Sequence, residues 1–407
     1  MEVKVKKRVA FHTLGCKVNI YETEALRRVF ENDGYSVVDF NEEADVYVIN
    51  TCSVTNIADR KSRQMIHRAK KLNPDAVVIA TGCFSEGLKE MGAIAAAHEL
   101  GIEKVIFNEE KAKIVEEATK LTSKFAGVHT RADIKIQDGC NQFCSYCIIP
   151  YRRGKVTCRP IESIVEEVKN LAEHGHKEVV LTGIHITLYG RDELIKLMKA
   201  VAAIDGIERV RLGSLEPRII DDVFLSGCKE IKEFCPHFHL SLQSGCDKTL
   251  KAMNRHYTTQ EYRERVALIR QYYEHPAITT DVIVGFPGET EEDFAESLRF
   301  CDEMKFFEMH IFPYSRRKGT KADKMPDQLT QAEKEIRVDR MEDINAKNTE
   351  EFIRYYDGKE IELLTESVSF ENGVRFVTGC TPEYVKLKVP TDEIGPNELI
   401  ATTVSFS

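Results

Sequence analysis

Ile134-Lys135-Ile136-Gln137-Asp138-Gly139-Cys140-Asn141-Gln142-Phe143-Cys144-Ser145-Tyr146-Cys147 is the stretch on which the reading of this chain turns. Its first four residues alternate apolar and polar and predict a strand. The next residues place three cysteines on a short loop beyond the strand's carboxyl end. Three thiolates so spaced suit three irons of a [4Fe–4S] cube. Clusters that only carry electrons are usually closed by a fourth cysteine, so an open fourth iron points to chemistry at the metal. A structural zinc site is the alternative. It wants four ligands, commonly as two CxxC pairs, and the chain contains no second CxxC.

Outward from this loop, strand and helix signals alternate in both directions. Upstream, Arg8–His12, Tyr35–Phe40, Val46–Ile49, Ala76–Ala80 and Lys104–Phe107 read as strands, and residues 56–72 as a helix. A further helix is expected to begin at Asn19, with Glu22 completing a capping box, and to end at Gly34. This grammar predicts an open, parallel α/β sheet. Downstream, Ile134–Gln137, Glu178–Thr182, Arg209–Gly213, His239–Gln243, Ile278–Val284 and Phe307–Phe312 alternate with helices such as Ile161–Glu173, Glu291–Glu303 and Gln331–Tyr355. Six βα units are too few for an eightfold barrel, so a partial barrel is expected. Glu360–Leu364, Val374–Thr378, Tyr384–Val389 and Ile400–Ser405 then predict a small antiparallel β-barrel. The expected domains are 1–125, 126–350 and 351–407.

The chain has 407 residues, 42% apolar and 30% charged, which excludes a disordered polymer. It has no apolar run long enough to span a membrane. Its basic start, Met1–Arg8, lacks the apolar core of a signal peptide, so a cytoplasmic protein is expected. Twelve cysteines in a reducing compartment favour cluster ligation over disulfides.

Cys16, Cys52 and Cys83 each follow a predicted strand. Parallel strands bring their carboxyl ends to one edge, where ligands bind. The three thiols thus suit a second cluster with an open iron, although each alone also fits a small buried apolar residue. Cys158, Cys228, Cys235, Cys246, Cys301 and Cys380 show no ligand spacing and read as packing residues.

Cys140-x3-Cys144-x2-Cys147 resembles the hallmark of the radical S-adenosylmethionine (SAM) enzymes. Thr13-Leu14-Gly15-Cys16-Lys17-Val18-Asn19, Asn50-Thr51-Cys52-Ser53-Val54-Thr55 and Thr81-Gly82-Cys83 resemble the words of the methylthiotransferases. The three-part order, ending in a module similar to the RNA-binding TRAM barrel, matches as well. The word at Cys16, with Glu22 and Glu24 after it, resembles the branch acting on N6-threonylcarbamoyladenosine at tRNA position 37. Two other branches act on isopentenyladenosine-37 or on a ribosomal-protein aspartate. A rival of another class is a non-catalytic iron–sulfur RNA-binding protein.

The resemblance implies two [4Fe–4S] clusters, on Cys140/Cys144/Cys147 and on Cys16/Cys52/Cys83. It implies SAM as both radical source and methyl donor, with tRNA, a one-electron reductant and a sulfur donor as partners. For SAM it implies Tyr146 beside the loop, Thr182 and Gly183 at the second barrel strand, and Ser214 and Glu216 at the third. Gln243 at the fourth strand and Arg255 complete that set. His185 reads either as a pocket residue or as a structural histidine.

The net charge is −9, so RNA would have to meet local basic patches. Three are candidates: Arg60–Lys71, Tyr151–Arg159 and Arg316–Lys321. Each also reads as a solvated charged face. From Glu351 onward there are ten acids against five bases, which is unusual for a phosphate-binding module. Tyr356, Phe376 and Tyr384 are the aromatics available there for stacking on bases. Docking of this module on the central barrel is the other reading.

Overall fold

The computed structural model describes residues 6–119, 121 and 130–405. The first residues of the basic start and the expected boundary at residue 125 lie outside them. The chain packs as two units. The first contains β1 (Arg8–Thr13), β2 (Ser36–Val38), β3 (Val46–Thr51), β4 (Val77–Gly82) and β5 (Lys104–Ile106), together with Asp138–Thr157 and Ser315–Asp323. The second contains the central strands and the carboxyl-terminal sheet.

In the first unit the strand order is β2-β1-β3-β4-β5, and every pairing is parallel. β3 lies centrally and is buried along its whole length, as its unbroken apolar reading predicts. Tyr47 and Ile49 pack with Ile66, Ala69 and Val78 on one face, and Val9, Leu26, Val48 and Ile79 pack on the other.

The helix after β1 starts earlier than its sequence suggests. It spans Lys17–Asn32 with Cys16 at its N-cap, and no side chain caps it. Asn19 and Glu22 are buried instead. Asn19 donates to the Leu14 carbonyl at 2.6 Å and the Thr51 carbonyl at 3.1 Å. The expected capping box fails because these polar groups have partners elsewhere in the tertiary fold. The helix Asn56–Leu72 has the predicted bounds, with Thr55 accepting from Ala58 N at its N-cap.

In the second unit β6 (Arg131–Asp138), β7 (Thr157–Cys158), β8 (Glu178–Gly183) and β9 (Arg209–Leu212) form one sheet, in the order β7-β6-β8-β9. A second sheet holds β10 (His237–His239), β11 (Ala277–Val284) and β12 (Glu308–Pro313), all parallel. Parallel bridges at Val210–Phe234 and Leu215–Leu240 join the two. The result is a wall of six parallel strands, the partial barrel. The fourth strand lies two residues earlier than expected, and beyond it only an isolated bridge pairs Gln243 with Val282. Gln243 has φ +69°, which interrupts regular pairing there.

The carboxyl-terminal sheet comprises β13 (Glu360–Glu371), β14 (Val374–Cys380), β15 (Lys386–Pro390) and β16 (Leu399–Thr403). It is antiparallel, in the order β15-β14-β13-β16, and a bulge at Thr365/Ser367 curls it.

This sheet docks on the amino-terminal ends of the barrel strands, all within the second unit. Glu178, fully buried at the start of β8, accepts from Arg131 Nε at 2.6 Å and Arg211 Nε at 2.8 Å. Arg211 also donates to the Pro382 carbonyl at 2.8 Å, and Arg209 to the Cys380 carbonyl at 2.7 Å. The Tyr384 ring stacks on His237 and lies beneath the guanidinium groups of Arg131 and Arg211. Tyr384 and Tyr356 are therefore docking residues rather than free stacking platforms; Tyr356 is buried in the apolar seam with Leu363, Val385 and Phe307.

Burial raises the Glu178 carboxyl, but the charges of Arg211 and Arg131 overcome this and bring it to about 2. Because this value lies below the ordinary carboxylate range, the stabilisation is present above about pH 4.5 and is lost as the pH falls toward about 2. Glu178→Gln leaves two buried guanidinium groups without their anion. It is expected to destabilise the fold by roughly 3–5 kcal/mol at neutral pH, measured by urea unfolding, and to flatten the acid limb of the stability profile.

Candidate metal and cofactor centre

β1, β3 and β4 are adjacent in their sheet, and each carboxyl end leads to a cysteine. β1 ends at Thr13, three residues before Cys16; β3 ends at Thr51, directly before Cys52; β4 ends at Gly82, directly before Cys83. The register pairs Thr13 with Asn50 and Thr51 with Gly82, so the three ends are level.

Two glycines make the close approach possible. Gly82 has φ +92°, and a Cβ there would lie 2.3 Å from the Thr51 carbonyl oxygen. Gly15 has φ +105°, and its Cβ would lie 3.0 Å from the Cys52 Sγ. Each glycine thus lets its cysteine turn in against the neighbouring strand.

Cys52 and Cys83 are buried, whereas Cys16 is exposed. Burial pushes the Cys52 thiol up to about 11, and Cys83 and Cys16 add to the rise, so the three thiols lie within electrostatic reach of one another. Burial also raises the Cys83 thiol, while the positive charges of Arg153 and Lys111 pull it back. Among the described residues no three His, Cys, Asp or Glu side chains converge on a single-ion site. A four-iron cube, unlike a single ion, takes each thiolate on a different iron.

The loop bearing Cys140, Cys144 and Cys147 belongs to the same unit as the first three cysteines. It lies outside helix and strand, and all three cysteines are partly exposed. Gly139 at φ +74° starts it where a Cβ would lie 2.1 Å from the Lys155 carbonyl oxygen. Phe143 takes φ +48°, and Cys147 N donates to the Cys144 carbonyl at 3.0 Å. Three cysteines on one tightly turned, partly open loop fit a cluster that must admit a further ligand. Tyr146 is half-buried on this loop.

The remaining expected SAM residues fall in the second unit, at or beyond strand ends. Thr182 is buried near the end of β8. A Cβ on Gly183 would lie 2.8 Å from the Gln137 carbonyl. Ser214 is exposed just past β9. Glu216 is buried, takes Arg218 Nε on its carboxylate at 2.8 Å, and donates its backbone N–H to Thr187 Oγ1. Gln243 sits at the interruption beyond β10. Arg255 Nε donates to Tyr257 Oη at 3.1 Å, and that hydroxyl donates to the Ser241 and Leu242 carbonyls. His185 is held neutral, its pKa lowered to about 4 by burial and then by Arg255 and Arg218; both ring nitrogens are buried without a hydrogen-bond partner among the described residues.

Two of the expected phosphate patches lose cations to the interior. The Arg153 side chain is buried against Glu22. Arg317 is buried on Ser53, Asn56 and Asp59, and Arg159 pairs with Glu167. On the helix Asn56–Leu72, Arg60, Lys61, Arg63 and Lys71 remain exposed. Of the six packing cysteines, five are buried, but Cys158 is exposed on the short strand β7. The sequence reading gave Glu22 to a helix cap and Arg153 to a phosphate patch and passed over Lys111, because nothing in local spacing joins the three that meet here.

Residues 134–301 match the model described as "Radical SAM superfamily", and residues 8–100 match "Uncharacterized protein family UPF0004". A relative from Bacillus subtilis, named threonylcarbamoyladenosine tRNA methylthiotransferase MtaB, is 38% identical over 95% of this chain and 92% of its own. A protein of the same name from Aquifex aeolicus is 42% identical over 88% of this chain and 92% of its own. A relative from Thermoanaerobacter, named tRNA-2-methylthio-N(6)-dimethylallyladenosine synthase, is 34% identical over 89% of this chain and 83% of its own. Among solved structures, the radical SAM methyltransferase TsrM from Kitasatospora setae aligns with TM-score 0.55 at 16% identity. That alignment covers 76% of this chain and 75% of the other, and shows a shared fold.

Gly82→Ala forces a left-handed backbone and a clash with the neighbouring strand. It is expected to cost at least roughly 1–3 kcal/mol, read as a lower urea midpoint, and to reduce iron uptake. Gly373→Ala also has positive φ, but its Cβ would meet nothing within 4 Å; it should leave iron uptake unchanged.

Proposed function

Because this chain belongs to the radical SAM methylthiotransferase family, we propose that it inserts a methylthio group at carbon 2 of N6-threonylcarbamoyladenosine-37 in tRNA. Two relatives bearing that substrate in their names match it at 38% and 42% identity along most of its length. The observation that carries the chemistry is two thiol triads in one packed unit, one of them built on three level strand ends.

In this reading Cys140, Cys144 and Cys147 hold a [4Fe–4S] cluster, and Cys16, Cys52 and Cys83 hold a second. With SAM, these groups supply a radical able to remove a ring hydrogen that no acid or base can take, and the sulfur and methyl that replace it. The chain's own residues bind and orient. Thr182, Gly183, Ser214, Glu216, Gln243 and Arg255, at or beyond the barrel strand ends, and Tyr146 on the cysteine loop are the residues that would hold SAM. Gly183 lets β8 pack against Gln137 and Ile186, where a Cβ would clash. The Arg255 guanidinium, steadied by Tyr257, would pair with the SAM carboxylate.

The exposed cations of the helix Asn56–Leu72 take tRNA phosphates. The functional modules are 1–125, 126–350 and 351–407. No helix among the described residues is long and apolar enough to cross a membrane. A second reading, isopentenyladenosine-37 as substrate, is favoured by the Thermoanaerobacter relative.

Nucleoside mass spectrometry of tRNA from a strain lacking this protein separates the two. We expect loss of the methylthiolated threonylcarbamoyl nucleoside and accumulation of its precursor. Loss of the methylthiolated isopentenyl nucleoside instead would overturn the assignment. Anaerobic reconstitution should load about eight iron per chain, two cubes of four. Cys52→Ala should load about four, still cleave SAM, and fail to methylthiolate.

A further inference from the structure

Phe143 and Tyr151 are large aromatic side chains that the fold leaves in the open, 51% and 54% exposed. Phe143 lies between Cys140 and Cys144, and Tyr151 lies in the short helix Ile149–Arg153 that follows Cys147. Their rings meet edge to face, with centroids 5.7 Å apart and planes at 71°. Phe143 holds φ +48°, a left-handed backbone that a bulky residue takes at a cost and a glycine does not. A glycine would make the same turn more cheaply; what it would lack is the ring.

The charges around this pair do not cancel. Arg152 is held by Glu90 at 2.6 Å, and Arg316 by Asp323 at 2.7 Å. Arg153 is taken up by Glu22 and Asp138. Lys155, Lys318 and Lys321 are exposed and enter no ion pair among the described residues. Two of these lysines flank the cysteine loop. The Lys155 carbonyl packs against Gly139, where the loop starts, and Ala322 N, next to Lys321, donates to the Ser145 carbonyl at 2.7 Å. All of these residues belong to the first unit.

Half-exposed rings beside unpaired lysines suit single-stranded RNA, whose splayed bases stack on aromatics and whose phosphates meet cations. An acidic protein would suit the lysines equally, but it offers the rings no base to stack on. A base drawn out of its stack for chemistry also leaves its neighbours in the loop unstacked. Rings carried on and beside the cysteine loop are placed to cover one of them.

We propose that Phe143 and Tyr151 form a stacking platform for an anticodon-loop base next to the target adenosine, with Lys155, Lys318 and Lys321 on the neighbouring phosphates. The inference rests on the tRNA reading above and names the surface on which the loop would lie. Both aromatics position the RNA and take no part in the chemistry.

Reconstituted full-length chain is titrated with a labelled anticodon stem-loop RNA carrying N6-threonylcarbamoyladenosine at position 37 and 2-aminopurine beside it. Anisotropy reads affinity, and quenching of the 2-aminopurine reads stacking. Phe143→Leu and Tyr151→Leu should each weaken binding about tenfold and relieve the quench, whereas Phe143→Tyr and Tyr151→Phe should keep both. Lys155→Gln with Lys321→Gln should keep the quench and lower the slope of log affinity against log salt by roughly 0.7 for each lysine replaced. Iron is counted in every sample, so that loss of a cluster is not read as loss of an RNA contact. Should Phe143→Leu fail to hold iron, Tyr151→Leu, outside the cysteine loop, carries the test. If the unchanged chain does not bind this RNA, the tRNA reading itself fails. If it binds, and the leucine variants bind as tightly with the quench intact, the platform is overturned. Normal RNA binding by those variants together with slower electron uptake from reduced flavodoxin would overturn it too, and would give this surface to the reductant.

Discussion

The ion pair between Arg153 and Glu22 ties the loop carrying Cys140, Cys144 and Cys147 to the sheet carrying Cys16, Cys52 and Cys83. Arg153 closes the short helix Ile149–Arg153 just after that loop, and Glu22 lies one turn into the helix that Cys16 caps. A single buried contact therefore links the chain near both cysteine sets. Asn19 reinforces it by holding Arg153, Leu14 and Thr51 together. The same residues that brace the fold surround the thiols, so packing and chemistry are not separable here.

Parallel topology explains why such a site forms on this sheet. Every parallel strand delivers its carboxyl end to the same edge, and the crossover helices leave that edge open. Three adjacent strands can then present three thiols without any sequence motif joining them. The glycines before Cys16 and Cys83 remove the Cβ atoms that would keep the turns apart.

The second unit divides its labour between the two ends of its strands. At the amino ends, Arg131, Glu178, Arg209 and Arg211 bind the carboxyl-terminal sheet through buried charge and backbone carbonyls. At the carboxyl ends lie Thr182, Gly183, Ser214, Glu216, Gln243 and the half-buried His185. The acidity of the terminal sheet is consistent with this docking, since several of its acids meet arginines: Glu362 pairs with Arg209 and Glu366 with Arg131.

Local pattern alone determined much of this protein. Alternation placed nearly every strand and helical period placed the longer helices such as Asn56–Leu72, Ile161–Glu173 and Gln331–Arg354, because each element's apolar face repeats within a few residues. The spacing of Cys140, Cys144 and Cys147 was legible because all three sit on one loop. Tertiary structure decided the rest. The Asn19 capping box, the Tyr384 stacking platform and the Arg153 phosphate contact were each chemically reasonable locally. Each failed because a partner distant in the chain outcompeted it: Thr51 for Asn19, Arg211 for Tyr384, Glu22 for Arg153. A buried polar group must find a partner wherever the fold supplies one, and sequence spacing carries no record of contacts made 32 residues away, as for Asn19 and Thr51, or 131 away, as for Arg153 and Glu22.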